Sequence, residues 1–173
     1  MGTHSRLRAC SVVGLGKLGS ALATCLSSRG FTVIGVDLDT ELVASLNAGR
    51  TRLAEPGLAE LVVANRDRLR ATSSYDDAIR DSSVTFIVVP TPSEHHGGFS
   101  LRHVVHAAQR IGTALAATSD YHLIVLTSTV VPGSTLSEVR PVLEAASGKV
   151  CGRDFGLCYS PLFVSLGTVI HDI

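Results

Sequence analysis

The glycines Gly14, Gly16 and Gly19 are spaced as G-x-G-x-x-G within the sequence VVGLGKLGSALA. They fall between a predicted strand, Ala9–Val13, and a predicted helix, Lys17–Arg29. In this context we expect Gly14 to permit a tight turn, Gly16 to let a diphosphate approach the backbone, and Gly19 to let the helix pack closely. Free N–H groups and the dipole at the helix start favour phosphate groups. The pattern therefore predicts a dinucleotide-binding loop; the alternative is an ordinary glycine turn.

Asp37 directly follows the second predicted strand, Phe31–Val36. A carboxylate at that position can accept hydrogen bonds from both hydroxyls of an adenosine ribose, and it repels the additional phosphate of NADP. The sequence therefore predicts NAD as the cofactor. The alternative is that Asp37 is a solvated residue at the end of a strand. Asp39 is expected to cap the next helix instead of binding the ribose.

Short apolar runs alternate with amphipathic segments along the chain, which is typical of βαβ units and a parallel sheet. The later predicted strands are Leu69–Thr72, Val84–Val89, His122–Leu126 and Phe155–Tyr159. The predicted helices among them are Thr40–Asn47, Pro56–Val63, Tyr75–Arg80, Leu101–Ala117 and Ser134–Ala146. This order predicts a three-layer α/β fold of the Rossmann type, with a doubly wound, mostly parallel sheet, as a single domain over residues 1–173.

The composition suits a buried parallel sheet, because 45% of the residues are hydrophobic and 17% are charged. The 15 basic and 15 acidic residues give zero net charge, which implies no general attraction to nucleic acid or to an anionic membrane. No apolar run approaches the ~18 residues of a membrane span, and none resembles a signal peptide, so the cytoplasm is the expected compartment. Cys10 and Cys25 are expected to be buried, reduced thiols.

Four histidines occur close together, at His95, His96, His103 and His106. The last two are spaced i, i+3 and can share one face of a helix, as a pair of metal ligands would. No carboxylate or cysteine completes a ligand set. We therefore expect solvated histidines and no metal site.

Several sequence blocks follow the glycine loop in a specific order: GVDLD, LNAG, EPGLAEL, VVPTPS, STVVPGST and SPLFVSLGTVIHDI. With this combination the chain resembles the UDP-glucose/GDP-mannose dehydrogenase family from Ala9 to Ile173. Many Rossmann proteins share the glycine loop, but few share these blocks together. The resemblance implies the NAD-binding domain of a nucleotide-sugar 6-dehydrogenase, which oxidises the sugar 6-hydroxyl towards a carboxylate with NAD.

The resemblance also implies a set of site residues. Thr129 would be catalytic by positioning a water or the substrate, and its alternative role is in a capped turn before Pro132. Glu55 is expected either to reach the cofactor or to act as a carboxylate at a helix start. The residues implied to bind NAD are Gly14, Leu15, Gly16, Lys17, Leu18, Gly19, Asp37, Val89, Pro90, Thr91, Ser128 and Thr129.

The chain departs from the family at two acidic positions. Leu162 stands where family members carry a catalytic glutamate, and Leu166 occupies another acidic position. Leucine cannot exchange a proton or orient a water. The family's cysteine-containing block, its long central helix and its C-terminal domain are also absent from these residues. We therefore expect this chain alone to bind NAD without full catalysis, as a truncated form of the enzyme.

Two other functions stay open on the sequence. One is a non-catalytic NAD-binding or scaffold module, which Leu162 would fit. The other is a hydroxy-acid dehydrogenase of the same superfamily. In the complete enzyme a nucleotide sugar is the expected substrate, and an exposed apolar face on this domain would favour a homo-oligomer.

Overall fold

The structure is a computed structural model that describes residues 9–94, 98–164 and 167–172. Its strands are β1 (Ala9–Val13), β2 (Thr32–Val36), β3 (Leu69–Thr72), β4 (Val84–Ile87), β5 (His122–Leu126) and β6 (Phe155–Tyr159). They form one sheet in the order β3-β2-β1-β4-β5-β6, and all neighbouring strands are parallel. The doubly wound Rossmann fold predicted from the sequence is confirmed.

The helices alternate with the strands and cover both faces of the sheet. One hydrophobic core contains residues of the helices that follow β3, β4 and β5. The other contains residues of the helices that follow β1, β2 and β6. A π-helical turn, Thr135–Val139, leads into the sixth helix. The helices are α1 (Lys17–Ser28), α2 (Thr40–Asn47), α3 (Leu58–Ala64), α4 (Tyr75–Arg80), α5 (Arg102–Ala116), α6 (Arg140–Ser147) and α7 (Val169–Asp172).

The central strand β1 contributes to both cores. Cys10 and Val12 pack in the core that contains α1, whereas Val13 packs in the core that contains α5. Successive strand residues point to opposite faces of a sheet, so a strand covered on both faces must be apolar at nearly every position. The sequence ACSVV meets that requirement except at Ser11.

Ser11 belongs to a buried polar row that crosses three strands. Its Oγ lies 2.7 Å from Oγ1 of Thr85, which lies 2.7 Å from Nε2 of His122. The three side chains satisfy one another, so their burial leaves no unpaired hydroxyl or ring nitrogen at these contacts. Burial lowers the pKa of His122 from 6.5 to about 4, and the positive charge of Lys149 acts in the same direction. The imidazole is therefore neutral at physiological pH.

Several element boundaries differ from the sequence prediction, most by one residue, and two of the differences coincide with local features of the backbone. β4 ends at Ile87, and the N–H of Val89 donates to the hydroxyl of Ser128 instead of to a backbone carbonyl. α3 begins two residues later than predicted, at Leu58. The residue before it, Gly57, has a φ of 78°, which a helix cannot contain.

The four cysteines are free thiols. Cys10 and Cys25 are buried, as predicted, and burial raises the pKa of Cys10 to about 11. Cys151 is half-buried, and Cys158 is exposed near the end of the edge strand β6. Within the described ranges, none of the helices has the length and apolar character needed to cross a membrane.

Candidate functional site

A cleft of about 460 Å³ opens at the carboxyl ends of β1, β4 and β5. The strand order reverses between β1 and β4, and doubly wound sheets bind their ligands at that position. The sequence-predicted site residues that line the cleft are Gly14, Gly16, Lys17, Leu18, Asp37, Val89, Pro90, Thr91, Ser128 and Thr129.

The three glycines of the loop have different surroundings. Gly14 has a φ of 92°, and a Cβ there would lie 2.5 Å from the carbonyl oxygen of Val88. A Cβ on Gly19 would lie 1.7 Å from the carbonyl oxygen of Gly14, so the helix could not pack against the turn. A Cβ on Gly16 would meet no protein atom within 4 Å. Packing therefore requires Gly14 and Gly19, whereas Gly16 leaves open space at the cleft.

The start of α1 has no side-chain cap. Gly16 is the N-cap residue, and the first turn of this fully described helix contains no acidic residue. In α2, by contrast, Oδ1 of Asp39 accepts hydrogen bonds from the N–H groups of Glu41 and Leu42, as the sequence predicted for Asp39. The first N–H groups of α1, the helix dipole and the exposed Lys17 therefore favour an anion at this side of the cleft.

Two backbone N–H groups hold the carboxylate of Asp37. Its Oδ2 accepts from Leu15 at 2.7 Å, and its Oδ1 accepts from Asp39 at 3.0 Å. A carboxylate has about four lone-pair positions, so two of them stay available to a ligand. Leu15 is itself fully buried, and its N–H is bonded to Asp37. The sequence did not indicate this contact, because the two residues lie on different elements.

A smaller cavity of about 140 Å³ adjoins Asp37 between the ends of β2 and β4. Its wall includes Tyr75, which is buried, and the guanidinium carbon of Arg110 lies 5.6 Å from the centre of the Tyr75 ring. Burial also raises the pKa of Tyr75. His103 and His106 of α5 line the same cavity, although both are exposed. The i, i+3 spacing of the two histidines predicted that they share a helix face. No local sequence pattern indicated that this face borders a cavity.

Ser128 joins the ends of β4 and β5. Its buried hydroxyl accepts a hydrogen bond from the N–H of Val89 at 2.9 Å and lies 2.8 Å from the carbonyl oxygen of Val89, to which it donates. Thr129 is exposed and lines the cleft beside it. Pro161 and Leu162 close the same end of the cleft. This end therefore offers a threonine hydroxyl and apolar surface to a ligand.

Glu55 does not line the cleft, and its carboxylate binds the start of α7. Its two carboxylate oxygens accept hydrogen bonds from the N–H of Gly167 at 2.9 Å and of Val169 at 2.8 Å. The helix start predicted for Glu55 was that of the helix at Pro56, whereas the structure shows Glu55 at the start of α7. Its contact with the cofactor stays a prediction. Glu55 and Lys17 also line a separate pocket of about 320 Å³.

Among the residues that the structure describes, no group of three or more His, Cys, Asp or Glu side chains is arranged to hold a metal ion. His95, His96 and Leu166 lie outside the described residues.

Comparison with known proteins agrees with this geometry. Residues 8–173 match the model of the UDP-glucose/GDP-mannose dehydrogenase family, NAD binding domain. The chain is 43% identical over 163 residues to UDP-glucose 6-dehydrogenase AglM of Haloferax volcanii, and 40% identical over 164 residues to GDP-mannose 6-dehydrogenase of Pseudomonas aeruginosa. Each alignment covers 94% of this chain and 38% of the relative. The chain thus spans less than two-fifths of these relatives.

Solved structures give the same result. A ternary complex of GDP-mannose dehydrogenase from Pseudomonas aeruginosa superposes with a TM-score of 0.92 at 39% identity, covering 94% of this chain and 38% of that one. A UDP-glucose dehydrogenase from Pyrobaculum islandicum gives a TM-score of 0.90 at 33% identity, covering 99% and 40%. The chain belongs to the UDP-glucose/GDP-mannose dehydrogenase family, in which it corresponds to the NAD-binding domain.

Proposed function

We propose that this chain holds NAD in the cleft at the carboxyl ends of β1, β4 and β5, as the cofactor domain of a nucleotide-sugar 6-dehydrogenase. The observation that carries the proposal is the uncapped start of α1 beside Gly16, where a Cβ would meet no protein atom within 4 Å. Backbone N–H groups without a capping side chain, next to open space, suit a diphosphate.

The adenosine half of NAD would be bound by residues after β2 and on α5. Asp37 would accept hydrogen bonds from the ribose hydroxyls with the lone pairs that Leu15 and Asp39 leave available. The adjoining cavity of about 140 Å³, with Tyr75 and the two histidines His103 and His106 in its wall, would take the adenine.

The nicotinamide half would lie at the opposite end of the cleft. Val89, Pro90 and Thr91 would border it on one side, with Ser128 and Thr129 on the other. When bound, NAD accepts a hydride from the carbon that is oxidised. The hydroxyl of Ser128 fixes the backbone of Val89, whereas the exposed hydroxyl of Thr129 would orient a water or the substrate.

The substrate of the complete enzyme would be a nucleotide sugar, oxidised at its 6-hydroxyl. This proposal rests on the relatives, which are a UDP-glucose and a GDP-mannose 6-dehydrogenase. Family membership favours this substrate over a hydroxy acid. The cytoplasm is the proposed compartment, where the four free thiols would stay reduced.

A non-catalytic NAD-binding module is the second candidate, and Leu162 is the observation that favours it. Its side chain lines the nicotinamide end of the cleft and cannot exchange a proton. We expect the chain alone to bind NAD and to form no NADH when UDP-glucose or GDP-mannose is added. NADH absorbance measures this directly, and its appearance would contradict the non-catalytic candidate.

Calorimetric titration with NAD and NADP tests the cofactor site. We expect NAD to bind and NADP to bind at least about tenfold more weakly, because the Asp37 carboxylate repels the additional phosphate. The variant Gly16→Ala should weaken NAD binding by about tenfold or more, since the methyl group would occupy space proposed for the diphosphate.

Gly98→Ala is the matched control. A Cβ on Gly98 also meets no protein atom within 4 Å, and Gly98 does not line the cleft. Unchanged NAD affinity is expected for this variant. Equal affinities for NAD and NADP, or an unaffected Gly16→Ala variant, would reject the proposed site.

A further inference from the structure

Leu15, at the centre of the glycine loop, is held by three contacts. Its side chain is fully buried against Gly35 of β2, where a Cβ would lie 2.7 Å from the Leu15 Cδ2 atom. Its carbonyl oxygen accepts a hydrogen bond from the hydroxyl of Ser20 in α1. Its N–H donates to Oδ2 of Asp37 at 2.7 Å. The side chain and the N–H of Leu15 are therefore both fixed by the β2 segment.

Gly35 and Asp37 are two residues apart, so they lie on the same side of the extended chain. The glycine makes room for the leucine side chain, and the carboxylate receives the leucine N–H. The other carboxylate oxygen is fixed by the N–H of Asp39 at 3.0 Å, which leaves the carboxylate little freedom to rotate. The bond from the Leu15 N–H to this carboxylate, at 2.7 Å, has the length of the stronger charge-assisted hydrogen bonds in proteins.

We propose that Asp37 is a positioning residue for the diphosphate end of the site, in addition to any contact with the ribose. By holding the peptide of Leu15, its carboxylate orients the next N–H groups, those of Gly16, Lys17 and Leu18, towards the cleft before a ligand binds. A loop that is already ordered loses less conformational entropy on binding. This inference rests on the proposed NAD site.

The negative charge of Asp37 and its positioning role affect the affinity for a phosphate ligand in opposite directions. A carboxylate close to a bound phosphate repels it, so removal of the carboxylate alone would strengthen phosphate binding. Loss of an orienting hydrogen bond has the opposite effect. A weaker affinity for a phosphate ligand that lacks the adenosine ribose would therefore report positioning, and neither charge nor a ribose contact explains it.

NMR titration with nicotinamide mononucleotide, a fragment of NAD, tests the inference. This fragment carries a phosphate but lacks the adenosine ribose. For Asp37→Ala we expect the affinity for nicotinamide mononucleotide to fall about tenfold, the usual effect of losing one hydrogen bond to a charged group. Asp37→Asn, whose carboxamide oxygen can still accept from Leu15, should stay within about threefold of the wild type.

Asp39→Ala is the matched control, because it removes a carboxylate from the same loop and leaves the bond between Asp37 and Leu15 in place. Its affinity for nicotinamide mononucleotide should equal or exceed that of the wild type. The amide proton signal of Leu15 gives a second measurement. It should move upfield in Asp37→Ala, in which its acceptor is lost, and stay near its wild-type position in Asp39→Ala.

The possible results separate the two proposals. Wild-type binding of NAD, combined with an Asp37→Ala affinity for nicotinamide mononucleotide no weaker than that of Asp39→Ala, would overturn the positioning role and leave the NAD site intact. A wild-type chain that binds neither NAD nor nicotinamide mononucleotide would overturn the proposed function, and the positioning role with it.

Discussion

At the scale of single residues, the loop glycines allow binding and folding to be separated. A methyl group on Gly19 would overlap the carbonyl oxygen of Gly14, whereas one on Gly16 would meet only open space. The same type of substitution therefore tests the backbone packing at one position and the ligand site at the other.

Gly19→Ala is expected to lower the free energy of unfolding by about 3 kcal/mol or more, because the backbone must shift to relieve the overlap. Gly16→Ala should lower it by less, about 0.5–2 kcal/mol, the range for replacing a favourable N-cap residue by alanine. Urea denaturation measures both values. Similar values for the two variants would show that α1 does not pack against the turn as described.

Some site residues could be predicted from the sequence, and others could not. The positions of the loop glycines and Asp37 at strand ends were predictable, because they follow from local spacing. Two other hydrogen bonds join different elements: the Leu15 N–H donates to the Asp37 carboxylate, and the Val89 N–H donates to the Ser128 hydroxyl. Local sequence patterns contain no information about which partner such a group will meet.

At the scale of elements, the polar row in the sheet makes the folded state sensitive to pH. His122 on β5 is almost completely buried and shares a hydrogen bond with Thr85 on β4. Its ring stays neutral in the folded protein, with a pKa of about 4, but takes up a proton in the unfolded chain at about 6.5.

Between pH 6.5 and about 4 the unfolded state therefore binds a proton that the folded state does not. The free energy of unfolding should fall by up to about 3 kcal/mol as the pH decreases through this window, and this contribution should level off below it. Denaturation at a series of pH values measures the slope. His122→Asn should reduce the slope in this window.

The carboxyl groups with lowered pKa values act at a lower pH. Hydrogen bonds from Arg80 and Arg153 lower the pKa values of Asp77 and Asp154, the latter to about 2. Their contributions to stability are present at higher pH and are lost below about pH 4, as each group is protonated. For the window between pH 6.5 and about 4, an equal slope of the unfolding free energy in the wild type and in His122→Asn would show that His122 is not the titrating group.

Two details of the helices were also beyond the sequence patterns. The predicted helix Ser134–Ala146 begins with a π-helical turn and continues as α6, which has Pro141 in its first turn. Proline has no N–H to donate, so the regular helical bonding is interrupted there. α7 was not predicted, because its start is held by Glu55, 112 residues before Gly167.

At the scale of the whole molecule, large apolar side chains are exposed near the carboxyl edge of the sheet. Val131 and Leu136 follow β5, and Phe163, which is 90% exposed, follows β6. The zero net charge provides little repulsion between copies. Exposed apolar surface of this kind favours association.

We expect the isolated chain to self-associate as its concentration rises, and Phe163→Ser to weaken the association about tenfold or more, as substitution of a large aromatic contact commonly does. Sedimentation velocity over a concentration series measures this. Val63→Ser is the control, because Val63 is 56% exposed on α3, a different element. A wild-type chain that stays monomeric throughout would contradict the expectation.

The exposed thiol near the end of β6 makes the cleft accessible to spectroscopy. Cys158 lies three residues before Pro161, which lines the cleft, whereas Cys10 and Cys25 are buried. Partial burial raises the pKa of Cys158, so its coupling to a maleimide fluorophore would be slower than that of a fully exposed thiol at the same pH. With the half-buried Cys151 replaced by serine, a dye at this single position would serve as an optical sensor of cofactor occupancy.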